Sequence, residues 1–113
     1  MSLPYQIADR VDFEVLVCQG TGSNPEAWKA EPVAQGNEPL ENVLDLLLRS
    51  DPRNASDSAD PSTWIYVGNA STQPFPLRAN ESINLRVTRR SAIYFKGPKG
   101  HKLIAVAAKL DAA

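Results

Sequence analysis

Runs of alternating apolar and polar residues, separated by turn residues, occupy much of this chain. In the clearest run, the apolar residues are Val11, Phe13, Val15 and Val17. Successive side chains of a β-strand point to opposite faces, so this spacing predicts a strand with those four side chains in the core. Further strands are predicted over residues 63–68, 73–77, 82–88, 91–96 and 101–107. Such a series of short strands is typical of a small all-β domain.

The same alternation predicts which side chains of the later strands point inward. The expected inward residues are Ile65, Val67, Ile83, Leu85 and Val87, with Trp64 and Tyr66 on the opposite face. Between the last two strands, Gly97, Pro98 and Gly100 predict a hairpin connection, because glycine allows positive φ and proline fixes its own φ. Residues 19–37 and 50–62 are expected to be loops, since both carry several turn residues.

Residues 40–50 have two periodicities at once. The helical set is Leu40, Val43, Leu44, Leu47 and Leu48, and the strand set is Leu44, Leu46 and Leu48. The leucine content favours a helix, whereas the resemblance given below favours a strand. We predict a strand.

A chain of 113 residues is one domain by size. We expect an arm over residues 1–10, which show no sustained period, and a single β domain over residues 11–113. Apolar residues make up 42% and charged residues 22%, as in ordinary folded soluble proteins. No apolar run approaches the roughly 20 residues of a membrane span, and the N-terminus lacks the features of a signal peptide. We therefore expect synthesis in the cytoplasm and no membrane partner.

Charge is distributed unevenly along the sequence. Residues 1–60 hold eleven acids and four bases, a net charge of −7, and residues 61–113 hold two acids and eight bases, a net charge of +6. This asymmetry could attract a neighbouring copy or an acidic partner. The preferred interpretation is that the two halves interleave in a sandwich and their charges mix.

The sequence offers little for catalysis or metal binding. His101 is the single histidine, so a nucleophile has one candidate base, and that base is expected to be solvated. Cys18 is the single cysteine, which excludes an intrachain disulfide, and we interpret it as a small semi-buried residue. Asp51, Asp57 and Asp60 could hold calcium, but their spacing matches no EF-hand loop, and solvated turn acids are preferred. We expect no enzyme activity, no cofactor and no metal site.

Two other motifs each have more than one interpretation. Asn54, Asn69 and Asn80 each begin an N-glycosylation pattern, but the preferred interpretation is that these side chains bond backbone groups in turns. A basic cluster with aromatic neighbours suggests, as an alternative function, a single-stranded nucleic-acid-binding barrel. The cluster consists of Arg86, Arg89, Arg90, Lys96, Lys99, His101 and Lys102, with Tyr94 and Phe95. Ile93 and Phe95 share a face by alternation and are expected in the core.

The order of residues 44–106 carries a family resemblance. It contains Trp64-Ile65-Tyr66-Val67-Gly68-Asn69, then Pro76-Leu77, an Asn80-Glu81-Ser82 turn, an alternating strand and Ile93-Tyr94-Phe95. This order resembles small structural proteins of tailed-phage particles, especially head decoration or cement proteins. The resemblance implies a virion protein that binds the outer capsid and bridges neighbouring subunits. A tail, baseplate or head-fibre component is the alternative within the same class.

The sequence and the resemblance together predict an antiparallel β-sandwich or jelly-roll-like domain with an extended N-terminal arm. The implied partners are the major capsid protein and further copies of the chain, as a trimer or another symmetric oligomer on the capsid surface. The expected contact elements are the arm and the two long loops. The candidate contact residues are Leu3, Tyr5, Trp28, Arg53, Arg89, Arg90 and Lys99.

Overall fold

The computed structural model describes residues 10–20, 28, 30–33, 44–87 and 92–109. In this part of the chain the regular elements are almost all strands. They are β1 (Arg10–Val17), β2 (Glu31–Pro32), β3 (Leu44–Ser50), β4 (Ile65–Gly68), β5 (Phe75–Leu77), β6 (Ser82–Val87), β7 (Tyr94–Lys96) and β8 (Lys102–Lys109). A 3-10 turn, Pro61–Thr63, precedes β4.

The strands form two four-stranded antiparallel sheets. Sheet A has the order β1-β8-β3-β6, and sheet B has the order β2-β7-β4-β5. Pairing joins β4 to β5, β3 to β6, β2 to β7 and β1 to β8, so the chain is one long antiparallel ribbon wound across two sheets. Eight strands paired in this way constitute a jelly roll. The predicted all-β sandwich is confirmed, and so is the strand assignment of β3.

The core lies between the sheets and follows the period of two. Sheet A contributes alternate residues of its central strands, and sheet B contributes alternate residues of β4 and β7. The fully buried apolar residues are Cys18, Val33, Leu46, Leu48, Ile65, Val67, Leu77, Phe95, Leu103, Ala105 and Ala107. Ile83, Leu85 and Val87 of β6 pack against this cluster, and so does Ile93, which directly precedes β7. The predicted inward faces of β4 and β6 are therefore confirmed.

The predicted face of β1 is wrong. Val11, Phe13, Val15 and Val17 are exposed, and 75% of the surface of Phe13 is accessible to solvent. Direct partners in an antiparallel ladder share a face, and the buried Leu103 of β8 is paired with Leu16, not with Val15 or Val17. The even-numbered side of β1 is therefore the inner one.

The pairing of β7 and β8 is also different from the prediction. We expected the Gly97–Gly100 region to close a hairpin, but β7 pairs with β2 and β4, whereas β8 pairs with β1 and β3. The connection crosses from sheet B to sheet A. Gly100 supplies the expected positive φ, at 88°, whereas Gly97 does not lie in the left-handed region.

The predicted N-terminal arm and the predicted loop over residues 50–62 differ in how much of them the structure describes. β1 begins at Arg10, and the rest of the predicted arm lies outside the described residues. Residues 50–62 form a folded loop that is hydrogen-bonded to sheet B. Trp64 Nε1 donates to the Asp57 carbonyl over 2.7 Å, and Tyr66 Oη donates to the Pro61 carbonyl over 2.9 Å.

The two faces of β3 predict a stability difference. Leu48→Ala empties a fully buried position and should cost about 2–5 kcal/mol of unfolding free energy. Leu47→Ala, on the outer face of the same strand, is the matched control and should cost less than about 1 kcal/mol. Urea denaturation of both variants checks this, and equal losses would contradict the assigned faces.

Candidate interaction surface

The outer face of sheet A carries apolar side chains in register across three strands. Phe13 of β1 pairs with Val106 of β8, which pairs with Leu47 of β3. Because paired residues point to the same side, these three side chains form one row across the middle of the sheet. Phe13 is the most exposed of the three.

Rows on either side extend the patch. One contains Val15 and Ile104, and the other contains Val11 and Ala108. We call the whole set the apolar face, and it consists of Val11, Phe13, Val15, Val17, Leu47, Ile104, Val106 and Ala108. The valines of β1 are exposed by 42–57%.

The apolar face is as large as the largest apolar patch of a typical monomer. Taking an exposed phenylalanine as roughly 200 Å² and an aliphatic side chain as somewhat less, the face exposes roughly 450 Å² of apolar surface. The largest apolar patch of a typical monomer is roughly 300–600 Å² and is often functional. The contiguity of these side chains thus distinguishes them from isolated exposed residues.

Charged residues border the face on β3 and β6. In the Val11 row, Asp45 of β3 pairs with Arg86 of β6, and their side chains form an ion pair at 3.3 Å. In the Val15 row, the β3 position is Arg49. On β3 the border therefore has an acid in the Val11 row, itself paired with Arg86 of β6, and a base in the Val15 row, on either side of the Leu47 row.

A second surface feature is polar. An open cleft of about 390 Å³ is lined by Asp51, residues 53–55 and residues 99–102. It includes Arg53 and Lys99, two of the predicted contact residues, together with His101 and Lys102. Asp51, at its base, is buried and accepts hydrogen bonds from the Arg53 backbone nitrogen at 2.9 Å and from Arg53 Nε at 3.2 Å.

Asn54 fixes the position of this cleft. Its side-chain oxygen accepts from the Lys102 backbone nitrogen at 2.9 Å, and its side-chain nitrogen donates to the Lys102 carbonyl at 2.9 Å. The same nitrogen donates to Ser50 Oγ at 3.0 Å. The amide thus links the end of β3 to the start of β8. It bonds backbone groups as expected, but those of a distant strand and not of its own turn.

Asn69 and Asn80 also serve as turn residues. The Asn69 side-chain oxygen accepts from the backbone nitrogens of Ser71 and Thr72, both at 2.9 Å. Asn80 has a φ of 68°, in the left-handed region that asparagine tolerates better than most residues.

The remaining predicted contact residues are divided between the interior and the undescribed segments. Trp28 is only 5% exposed, and its ring lies 6.3 Å from that of Tyr66, so it contributes to the domain's own packing. Tyr66 also contacts Trp64, over which the Arg78 guanidinium lies at 4.1 Å. Leu3, Tyr5, Arg89 and Arg90 lie outside the described residues.

The basic cluster is spread over several surfaces. Arg86 lies on the outer face of sheet A and is paired with Asp45, whereas Lys99 and Lys102 line the polar cleft. Phe95 is buried, so its ring is not available to stack on a base. Within the described part of the chain, these residues do not form one basic groove with aromatic platforms.

The acidic loop uses its carboxylates locally. Asp57 accepts from the Ala59 backbone nitrogen at 2.9 Å, and Asp60 accepts from that of Ser62 at 3.0 Å. Hydrogen bonds from Ser62, first from its hydroxyl, lower the pKa of Asp60. Across residues 10–20, 28, 30–33, 44–87 and 92–109, no three His, Cys, Asp or Glu side chains are grouped to hold a metal ion.

Sequence reasoning noticed the β1 residues of the apolar face but assigned them to the core. One sequence signal did point to the face. Residues 46–48 of β3 and 103–108 of β8 are continuous apolar runs, which are typical of strands covered on both sides. Sheet B covers only one side of these strands.

Comparison with known proteins gives no relative for this chain: no family, no curated protein and no solved structure matches it. None of the described residues forms a helix long and apolar enough to cross a membrane.

The Asp51–Arg53 contact predicts a pH dependence of stability. The side-chain hydrogen bond from Arg53, followed by its backbone hydrogen bond, lowers the pKa of Asp51 below its ordinary value of 3.8. A lowered carboxyl pKa stabilises the fold above pH 3.8, and this contribution is lost as the pH falls through the folded-state value. Arg53→Ala should therefore raise the pKa of Asp51, as followed by NMR titration of its carboxyl carbon.

Arg78→Ala is the control for that titration, because its ion pair is with Glu81, at 3.4 Å. It should leave the pKa of Asp51 unchanged. The backbone nitrogen of residue 53 still donates to Asp51 in this variant, so an Asp51 pKa that does not respond to Arg53→Ala would show that the side-chain hydrogen bond from Arg53 does not set its value.

Cys18 is predicted to be unreactive. Burial, with a smaller effect from the charge of Glu31, raises its pKa to about 12. At pH 8 the thiolate fraction, and with it the alkylation rate, should fall on the order of a thousandfold below that of an ordinary thiol. Mass spectrometry after iodoacetamide treatment measures this, with Ala70→Cys in a Cys18→Ala background as the control, because residue 70 is exposed in the bend between β4 and β5, away from the apolar face. Equal rates for the two thiols would contradict the buried position.

Proposed function

We propose that this chain is a structural protein of a tailed-phage particle, and specifically a capsid decoration protein. The observation that carries the proposal is the apolar face, which is contiguous, centred on Phe13 and exposed in the single chain. Such a surface serves binding to another protein. The jelly roll supports the proposal by analogy, since domains of this architecture recur in viral capsids.

The mechanism is binding without chemistry. One small domain that attaches to neighbouring capsid subunits, directly or through a second copy, adds buried interface at every equivalent position of a symmetric shell. Many modest contacts then stabilise the shell together, because detachment of one region requires several contacts to break. The polar cleft with Arg53 and Lys99 offers a further contact to acidic groups on the same partner.

A tail, baseplate or head-fibre protein would use the same kind of surface. The location of the chain in the intact particle distinguishes these two roles. The nucleic-acid alternative is less well supported, because Arg86 is neutralised by Asp45 and Phe95 is buried.

Cosedimentation with assembled capsids tests the proposal. The wild-type chain should pellet with assembled capsids and remain in solution with free major capsid subunits. Phe13→Ser should weaken capsid binding at least tenfold, since it removes the central side chain of the apolar face. Phe75→Ser is the matched control, because Phe75 is also exposed, at 46%, but belongs to sheet B.

Two results would overturn the proposal. The first is the absence of wild-type binding to capsids. The second is salt-dependent binding to an oligonucleotide that is lost when Arg89, Arg90 and Lys99 are neutralised, which would support the nucleic-acid alternative.

A further inference from the structure

We propose that the occupant of the apolar face is a second copy of this chain, packed sheet against sheet about a two-fold axis. The inference rests on the proposed function in taking this face as the working surface, and it names the partner. The resulting dimer would present two identical sets of loops and clefts, and could therefore bridge two capsid subunits.

The register of sheet A selects the axis. Phe13, Val106 and Leu47 form the central row, flanked by the Val15–Ile104 row and the Val11–Ala108 row. A two-fold axis along the central row places the central row of one chain over the same row of the second chain. Each flanking row of one chain then lies over the opposite flanking row of the second chain. Val15 then lies over Val11 of the second copy, and Ile104 lies over Ala108, so apolar groups meet apolar groups.

The border charges agree with the same axis. Arg49 continues the Val15 row on β3, and Asp45 continues the Val11 row. Exchange of the two rows brings Arg49 of each copy over the Asp45–Arg86 ion pair of the other, twice in the dimer, where the Asp45 carboxylate can accept from both arginines. A two-fold axis along the strands would instead place each row over the same row of the second chain. Arg49 of one chain would then lie over Val15 of the second, which would bury a charge against an apolar side chain.

The available area is also adequate. Stacked sheets lie about 10 Å apart, so side chains from both faces interdigitate. A specific interface buries about 800 Å² per partner, of which somewhat more than half is apolar. The apolar face supplies roughly 450 Å² of apolar surface. This is about the apolar share of such an interface.

Sedimentation equilibrium of the purified chain, without capsids, tests the dimer. The wild-type chain should show a concentration-dependent monomer–dimer equilibrium. Phe13→Asp should weaken the dimer at least a hundredfold, because it buries a carboxylate at the centre of the face. Phe75→Asp, on sheet B, should associate like the wild type.

A charge exchange tests the geometry. Asp45→Arg places two arginines at each border contact, and Arg49→Asp places two aspartates there, so each variant alone should dimerise at least tenfold more weakly. An equimolar mixture of the two variants restores both contacts in a heterodimer and should recover association. Unchanged circular dichroism and urea midpoints show that the variants are folded.

Three outcomes would overturn the inference. These are a monomeric wild-type chain at millimolar concentration, a trimer or open series of oligomers, and a mixture of charge variants that associates no better than either alone. Capsid pelleting is measured separately and can succeed in each case. A monomeric chain whose capsid binding is lost on Phe13→Asp would show that the face contacts the capsid itself.

Discussion

The structure depends on the position of β8 between β1 and β3. This one strand is hydrogen-bonded along its length on both edges, to Arg10–Val17 on one side and to Leu44–Ser50 on the other. Its odd-numbered residues, Leu103, Ala105 and Ala107, are fully buried against sheet B. The small side chains of the two alanines allow the sheets to approach closely, and the larger Leu46 and Leu48 on β3 fill the adjacent space. The register of β8 consequently fixes which side of every strand in sheet A faces outward.

The polar anchors at one end of the sheet serve the same register. Asn54 hydrogen-bonds both backbone groups of Lys102, and the Asp51 backbone nitrogen donates to the Lys102 carbonyl at 3.0 Å. On the other side of β8, the Cys18 nitrogen donates to the His101 carbonyl at 2.8 Å. These bonds hold the start of β8 between the chain segments that follow β1 and β3. A slip of β8 by one residue would break them and would also turn its buried residues Leu103, Ala105 and Ala107 outward.

The sequence allowed prediction of the all-β class, most strands and the inner faces of β4 and β6. These features follow from local alternation. In β4, for example, the period of two is enough to assign Ile65 and Val67 to the inner face, and Trp64 and Tyr66 to the outer one. The outer face of sheet A could not be predicted in this way. Alternation in β1 shows that its odd-numbered residues share a side, but only the pairing of Leu16 with Leu103 shows which side faces sheet B. The crossing of Gly97–Gly100 between sheets was missed for a similar reason, because turn residues report local curvature and not the identity of the next partner strand.

The composition of β1 argues for a closed interface on its face. β1 is an edge strand, without proline or lysine, and its exposed side carries three valines and a phenylalanine. Such an edge is prone to extend into open sheets of many copies. However, an antiparallel β1–β1 ladder centred on Phe13 would place Asp12 of one copy opposite Glu14 of the other, so like charges would oppose edge pairing. Packing through the face leaves both acids outside the contact. The acids Asp12 and Glu14 thus disfavour open edge-to-edge pairing, and the apolar face fits a two-fold contact. Both features favour a symmetric dimer over an open series of copies.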